Sequence, residues 1–216
     1  DMEYLALLWR EISAKAGSSP VPSLLYEDLP LAQRILRDMV QAGTAQIVVD
    51  DPATFEGLRQ FAASFMPEIA GRLEAYRGER PLFEVYGIEG EIEKALARRV
   101  ELASGGYLVI DQTEAMTTID VNTGAFVGKR DFEQTVYKTN LEAARAIARQ
   151  LRLRNLGGII ILDFIDMGEP AHRDAVLAEL HRATQSDRTR LTISSFTELG
   201  LVEMTRKRTG ESLSHL

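Results

Sequence analysis

Two aspartates that end buried strands are the residues of this sequence best suited to do chemistry. Asp120 and Asp163 each close an apolar run. Asn122 shares a strand face with Asp120, because side chains two residues apart on a strand point to the same side. Asp166 follows three residues after Asp163. Carboxylate oxygens are the ligands that Mg²⁺ prefers, and the ion often keeps several waters. These residue types therefore permit a metal site at which a water attacks a phosphodiester.

The same aspartates also have a purely structural interpretation. Asp is common where a strand meets the next loop, because its side chain accepts hydrogen bonds from nearby backbone amides. Asn122 could hydrogen-bond an aspartate or a water, which suits either interpretation. Spacing alone therefore leaves the metal site and the structural role as open alternatives.

A single long helix between the two apolar runs decides how the aspartates are arranged. Residues 139–154 repeat apolar side chains at three- and four-residue spacing, and Thr139 with Glu142 matches the capping-box pattern. Strand, helix and strand in this order predict a crossover connection, which makes the strands parallel, and consecutive strands are often neighbours. Because α/β sheets bind ligands at the carboxyl ends of strands, Asp120 and Asp163 are predicted to meet at such an edge.

The remaining periodicity predicts an α/β protein with a subdomain boundary near residues 96–98. A glycine turn at 103–106 between two extended runs predicts a hairpin, and a loop is predicted over 123–132. Further helices are predicted at 2–15, 30–42, 52–65, 89–98 and from Pro170 onward. Further extended segments are predicted at 24–26, 45–50, 72–76, 81–86, 159–164, 191–193 and 199–204.

Basic side chains accumulate beside the two strands although the whole chain carries a net charge of −7. Arg145 and Arg149 form a stripe along the predicted crossover helix and are candidate RNA contacts. If the strand predicted at 191–193 joins the same sheet, Arg190 just before it could reach the carboxylate edge and bind a phosphate. The alternative is that all three arginines are solvated surface residues, the usual state of a basic helix face.

Composition narrows the class of protein. The 216 residues are 45% hydrophobic and 26% charged, as in ordinary globular proteins, and include no cysteine. Disulfides and thiolate zinc sites are therefore excluded within this sequence. No apolar run approaches the ~20 residues of a membrane helix, and the N-terminal residues lack the pattern of a signal peptide. These features are typical of a cytoplasmic protein without a membrane segment.

Five longer motifs surround the candidate residues. They are 118–124 (TIDVNTG), 139–143 (TNLEA), 147–158 (IARQLRLRNLGG), 163–167 (DFIDM) and 200–208 (GLVEMTRKR). Together they resemble the catalytic region of the ribonuclease E/G family, and residues 126–128 and 202–208 are nearer its ribonuclease G branch. The resemblance is dense over 81–214 and weaker over 1–80.

This resemblance implies an endoribonuclease that depends on Mg²⁺, with Mn²⁺ as a possible substitute. It implies that Asp120 and Asp163 bind the metal, that Asn122 supports them in catalysis, and that Arg190 contacts RNA at the cut. The substrate would be single-stranded RNA, preferably with a 5′-monophosphate end, cut by a metal-activated water to give a 5′-phosphate and a 3′-hydroxyl. Such an enzyme serves ribosomal and transfer RNA processing and messenger RNA decay.

The family's architecture implies a helix and linker at 1–19, an incomplete RNase-H-like subdomain at 20–96, and a DNase-I-like catalytic subdomain at 97–216 with a central mixed sheet. The chain would then lack the N-terminal OB-fold that grips RNA and the cysteine pair whose zinc links protomers. Full-length members bind zinc and form oligomers; this chain, without zinc ligands, is expected to be monomeric or non-natively associated. The alternative function is a fragment that binds RNA or a partner without activity of its own.

Overall fold

The apolar segments of the chain gather into two separate hydrophobic cores. The computed structural model describes residues 2–40, 43–124 and 132–215. It divides the chain into residues 1–86 and residues 87–216. The boundary therefore lies earlier than the predicted 96–98. The helix that follows the boundary belongs to the second unit, because Ala95 is buried there and the Arg154 guanidinium donates to the Ala97 carbonyl at 2.7 Å.

The first unit packs helices against a two-stranded parallel sheet. Its core contains Leu36, Leu58, Phe61 and Leu73, and Asp51 caps the third helix by accepting from the Thr54 amide at 2.7 Å. Its helices are α1 (Met2–Ser18), α2 (Leu31–Met39), α3 (Pro52–Phe65), α4 (Pro67–Ala70) and α5 (Leu82–Val85), and its strands are β1 (Ile47–Val49) and β2 (Leu73–Ala75).

Two predictions for this unit are wrong. Residues 24–26 form no strand: the sheet of this unit contains only β1 and β2 among the described residues, and Leu24 is 77% exposed. Residues 81–86 contain the one-turn helix α5 instead of an extended segment. Runs this short carry too little periodicity to separate helix from strand, so tertiary contacts decide between them.

The second unit is built on a six-stranded mixed sheet with the order β3-β4-β5-β6-β8-β7. Strands β5 and β6 are parallel, and the other neighbouring pairs are antiparallel, which confirms the predicted mixed sheet and the predicted hairpin of β3 and β4. The strands are β3 (Arg99–Glu101), β4 (Tyr107–Gln112), β5 (Met116–Asn122), β6 (Gly158–Asp163), β7 (Leu191–Phe196) and β8 (Leu201–Arg206). The helices are α6 (Ile88–Leu96), α7 (Phe132–Leu153) and α8 (Pro170–Thr184), followed by a 3₁₀ turn at Leu213–His215.

Helices α7 and α8 cover only one face of this sheet. The inward side chains alternate along the strands, as in Ile119 and Val121 of β5 and Ile160 and Leu162 of β6, and all four are buried. Helix α7 meets them with a stripe that includes Ala144, Ala148 and Leu151, as predicted. On the opposite face, here called the open face, side chains at alternate positions of the described strands, such as Asp120, Asp163 and Glu203, are exposed.

The predicted capping box is wrong. The described part of α7 already begins at Phe132, so Thr139 lies two turns inside the helix and is 1% exposed. The Glu142 carboxylate reaches the β3–β4 turn rather than the start of its own helix. Most of the loop predicted over 123–132 lies outside the described residues.

A buried ion pair joins the loop before β7 to the end of β8. Arg206 Nε donates to Asp187 Oδ2 at 2.7 Å, and the two side chains are 5% and 4% exposed. The Arg206 guanidinium also donates to the Leu156 carbonyl at 2.8 Å and to Thr189 Oγ1 at 3.1 Å. Burial by itself would raise the pKa of Asp187, but the bonds from Arg206 and the Thr189 amide outweigh it and lower that pKa below its usual range.

Within the described residues, none of the helices combines the length and the apolar character that crossing a membrane requires.

We predict that Asp187→Ala lowers the free energy of unfolding at pH 7 by about 3–5 kcal/mol, because it leaves Arg206 buried without its partner. The folded-state pKa of Asp187 is lowered, so the pair stabilises the fold above the ordinary carboxyl range. That stabilisation is lost as pH falls through the lowered pKa. Urea denaturation from pH 7 to pH 3 measures the difference, which should shrink at the acid end. Asp111→Ala removes the exposed pair with Arg98 and should cost only about 0–1 kcal/mol; equal losses in the two variants would contradict the prediction.

Candidate active site

The two candidate carboxylates are direct neighbours in the sheet. In the parallel ladder of β5 and β6, Asp120 pairs with Asp163. Helix α7 is the only helix between these strands in the described sequence, so it forms the predicted crossover. The prediction that the strands are parallel neighbours carrying the two aspartates side by side is confirmed, although β5 continues to Asn122.

Both carboxylates point to the open face of the sheet. Asp120 alternates with the buried Ile119 and Val121, and Asp163 follows the buried Leu162. Asn122 lies on the same face, and its Nδ2 donates to Asp120 Oδ2 at 2.8 Å, which confirms the predicted hydrogen bond. This bond engages one carboxylate oxygen of Asp120, Oδ2.

Negative charge accumulates at this edge among the described residues. Partial burial raises the pKa of Asp163, and the charges of Asp120 and Asp166 raise it further. Among the described residues, no lysine or arginine forms an ion pair with these aspartates. The β7–β8 turn lies close by, since a Cβ at Gly200 would be 3.6 Å from Asp166 Oδ1. Like charges this close favour the binding of a cation.

The donor set fits Mg²⁺ better than metals that need a full protein cage. The described residues contain no group of three or more His, Cys, Asp or Glu side chains arranged around one ion. Two adjacent carboxylates remain, and Mg²⁺ is commonly held by one or two carboxylates with waters or phosphate oxygens in its other positions. Asp120 and Asp163 could hold such an ion, with Asn122 orienting Asp120.

Arg190 lies at the opposite end of the sheet from this pair. Leu191 pairs with Arg206, Arg206 pairs with Gly158, and Asp163 lies five residues further along β6. At ~3.3 Å per residue, roughly 16 Å along the strand direction separate the two ends. The expectation that Arg190 reaches the carboxylate edge is wrong, because β7 enters the sheet from the far end. Its predicted contact with RNA stays a prediction.

Arg145 and Arg149 lie on the helical layer, with the sheet between them and the open face. The Arg145 guanidinium donates to the Glu179 carboxylate, and Arg149 Nη2 lies 3.9 Å from Glu91 Oε2. Both arginines remain more than half exposed. The structure therefore does not bring this stripe together with the carboxylates.

Two further residues on the open face were not singled out by their sequence pattern. Tyr107 pairs with Asn122 across the β4–β5 ladder and therefore shares its face. Arg99, on β3, lies over the Tyr107 ring with its guanidinium carbon 3.7 Å from the ring centroid. The available signal was the alternation of buried Leu108 and Ile110 with half-buried residues along β4. It becomes informative only once the strand order is known.

Comparison with known proteins agrees with the motifs around this site. A family model described as the ribonuclease E/G family matches residues 1–209. The chain belongs to the ribonuclease E/G family. It is 52% identical over all its 216 residues to ribonuclease G of Salmonella typhimurium (strain SL1344), and 51% identical to ribonuclease G of Escherichia coli (strain K12). Ribonuclease E of the same E. coli strain is 42% identical over 214 residues, or 99% of the chain.

The chain spans only part of these relatives. It covers 44% of the length of each ribonuclease G and 20% of the E. coli ribonuclease E. Asp120 and Asp163 lie within the span shared with all three. The family assignment therefore covers the site. More than half of the length of each relative lies outside the part that matches this chain.

We predict that Asp163→Asn weakens Mn²⁺ binding to this ribonuclease E/G chain by about 100-fold or more, because it removes one of two carboxylates. The variant should unfold at an equal or higher urea concentration at pH 7, since the raised pKa of Asp163 means that its charge opposes folding. Isothermal titration with Mn²⁺ and urea denaturation measure the two effects. Glu203→Gln, on the same face opposite Ile161, is the control and should retain Mn²⁺ affinity; loss of affinity in both variants would contradict a specific site.

Proposed function

We propose that this chain carries the catalytic carboxylates of a Mg²⁺-dependent endoribonuclease that hydrolyses single-stranded RNA. The observation that carries the proposal is the in-register pairing of Asp120 with Asp163, two exposed carboxylates with which no lysine or arginine of the described residues forms an ion pair. Membership of the ribonuclease E/G family supports RNA as the substrate. The preference for a 5′-monophosphate end, the roles in RNA processing and decay, and a cytoplasmic location belong to the same proposal.

The chain's own residues divide the work of the reaction. Asp120 and Asp163 would hold Mg²⁺, and Mn²⁺ could replace it; the bound ion would lower the pKa of a water and neutralise phosphodiester charge. Asn122 holds Asp120 in one orientation through its 2.8 Å hydrogen bond. The buried strands beneath the pair keep both carboxylates fixed while RNA approaches from the open face. The products would be a 5′-phosphate and a 3′-hydroxyl.

The Arg99–Tyr107 stack supports single-stranded RNA as the ligand of this face. An aromatic ring beside a cation suits a nucleotide, because the base can stack and the phosphate can contact the guanidinium. Tyr107 pairs with Asn122, so the ring lies within about 10 Å of the carboxylates, on the scale of one or two nucleotides. We assign this stack as the nearest contact for RNA beside the cut.

The two units correspond, in this proposal, to an incomplete RNase-H-like subdomain and a DNase-I-like subdomain. Support comes from the mixed six-stranded sheet of residues 87–216, which carries the carboxylates at one edge. An association through zinc would have to use ligands other than cysteine within this sequence, which has none. Catalysis is therefore assigned to the second unit.

We predict that Asp120→Asn lowers the rate of Mg²⁺-dependent cleavage by about 100-fold or more while the far-UV circular dichroism stays unchanged, because the ligand is lost and the exposed side chain supports no core. The assay follows a fluorescent single-stranded oligonucleotide, with a 5′-monophosphate or a 5′-hydroxyl, with and without Mg²⁺ at fixed salt. Unchanged cleavage by the variant would disprove the assignment. Salt-sensitive RNA binding without any Mg²⁺-dependent product would favour the RNA-binding alternative instead.

We predict that Tyr107→Ala raises KM for the same oligonucleotide at least about fivefold, because stacking of one base on an aromatic ring contributes about 1–3 kcal/mol. Tyr107→Phe keeps the ring and should leave KM close to that of the unmodified chain. Steady-state kinetics of both variants measure the effect. An equal rise in KM for the two variants would contradict a stacking role.

A further inference from the structure

We propose that Asn140 and Glu142 of α7 are positioning residues that clamp the two carboxylate-bearing segments from opposite sides. The inference rests on the proposed metal role of Asp120 and Asp163. The residues belong to the motif TNLEA at 139–143, whose local capping interpretation the structure contradicts. Their side chains instead make long-range bonds to the two segments that flank the site.

Asn140 holds the segment that follows Asp163. Its Nδ2 donates to the Ile165 carbonyl at 2.8 Å, and its Oδ1 accepts from the Ile165 amide at 3.1 Å. The β6 ladder ends at Asp163, so the side-chain amide takes over the pairing that a neighbouring strand would otherwise provide. Asn140 is fully buried, and both of its polar ends are used here.

This bond pair restricts the backbone on the C-terminal side of Asp163. Ile165 lies between Asp163 and Asp166, so movement of the Ile165 peptide would change the orientation of the Asp163 and Asp166 carboxylates. Arg173 adds support by donating from Nε to the Met167 carbonyl at 2.9 Å. Asparagine is a poor residue for a helix interior, which favours an explanation through these bonds rather than through helix stability.

Glu142 holds the other side of the site through the β3–β4 turn. Its carboxylate accepts from the Ala103 amide at 2.5 Å and from the Ser104 amide at 3.0 Å. Burial by itself would raise the pKa of Glu142, but these bonds outweigh it and lower that pKa. The carboxylate is therefore ionised at neutral pH and binds both amides of the turn.

The β3–β4 turn, held by Glu142, supports the end of β5 that carries Asp120 and Asn122. A Cβ at Gly106 would lie 2.6 Å from the Asn122 carbonyl oxygen and 2.8 Å from Thr139 Cγ2, so the turn fits closely between β5 and α7. Gly124 has a φ of +71°, and a Cβ there would collide with the Gly105 carbonyl oxygen. Glu142 thus acts on Asn122 through the glycine turn.

One rigid helix therefore controls both sides of the pair. Side chains two residues apart on an α-helix point about 200° from one another, so Asn140 and Glu142 leave α7 in nearly opposite directions. One reaches the segment after Asp163, and the other reaches the turn against Asn122. The same helix is the crossover that makes β5 and β6 parallel. The β5–β6 ladder brings the carboxylates level, and α7 supports the segments on either side of them.

The test uses Asn140→Ala and Glu142→Ala in the 216-residue chain, with Asn155→Ala as a matched control. Asn155 is also a long-range tie, donating from Nδ2 to the Glu211 carbonyl at 3.0 Å, but it lies at the far end of the sheet. Glu142→Gln keeps the size and one acceptor. Glu142 is partly exposed, so its variants are expected to fold. They test the positioning role even if Asn140→Ala does not fold.

We expect the Asn140→Ala and Glu142→Ala variants to bind Mn²⁺ about 10- to 100-fold more weakly, as is typical when the support of a ligand is removed. Their kcat should fall with little change in KM, and Glu142→Gln should recover part of the affinity. Asn155→Ala should lose stability in urea without losing Mn²⁺ affinity. Hydrogen exchange should show faster exchange of the Ile165 amide in Asn140→Ala alone.

Two outcomes separate failure of this inference from failure of the proposed function. If the unmodified chain does not bind Mn²⁺, or if Asp163→Asn leaves Mn²⁺ binding unchanged, the proposed function fails. The positioning role then fails with it. If the unmodified chain binds Mn²⁺ and the clamp variants bind it as tightly as Asn155→Ala does, the positioning role is overturned while the metal site stands. Loss of affinity in all three variants, in proportion to lost stability, would likewise overturn it.

Discussion

The parallel pairing of β5 with β6 is the constraint on which the rest of the second unit depends. It brings Asp120 level with Asp163, and two carboxylates on adjacent strands repel each other unless a cation or a proton intervenes. Partial burial raises the pKa of Asp163, and the charge of Asp120 raises it further. Such a pair does not stabilise the fold by itself, and it lies over the buried apolar residues Ile119 and Leu162.

The two faces of the sheet have different roles: one packs into the hydrophobic core, and the other carries the proposed site. Its inner face packs against α7 and α8 with small and branched side chains, and its outer face carries the carboxylates and the Arg99–Tyr107 stack. The charged residues at the two ends of the sheet are arranged in opposite ways. The far end buries Arg206 and Asp187 as a matched pair, whereas the near end leaves like charges together. The first arrangement stabilises the fold, and the second is the one on which the proposed binding of a metal ion depends.

Local patterns predicted the elements well where the elements are long. The α7 stripe, the hairpin of β3 and β4 and the alternation of β5 all followed from periodicity, and so did the edge at which Asp120 and Asp163 meet. The short segments at 24–26 and 81–86 failed, because three to six residues do not fix a period. The capping box failed for a different reason. Thr139 and Glu142 matched a local motif, but the helix begins earlier and the Glu142 carboxylate binds distant backbone amides.

The sequence by itself determined which residues could bind a metal and that the strands carrying them run parallel, because both conclusions need only residue types and the order of strand, helix and strand. Only the tertiary structure decided the strand order, the face on which each side chain lies and the end at which each strand enters the sheet. These properties depend on pairing between segments far apart in the chain. For that reason the structure places Arg190 far from the carboxylates, against the prediction, and places Tyr107 beside them, which was not predicted. For the same reason, Glu142, predicted to cap its own helix, binds the backbone amide of Ser104 in the β3–β4 turn instead.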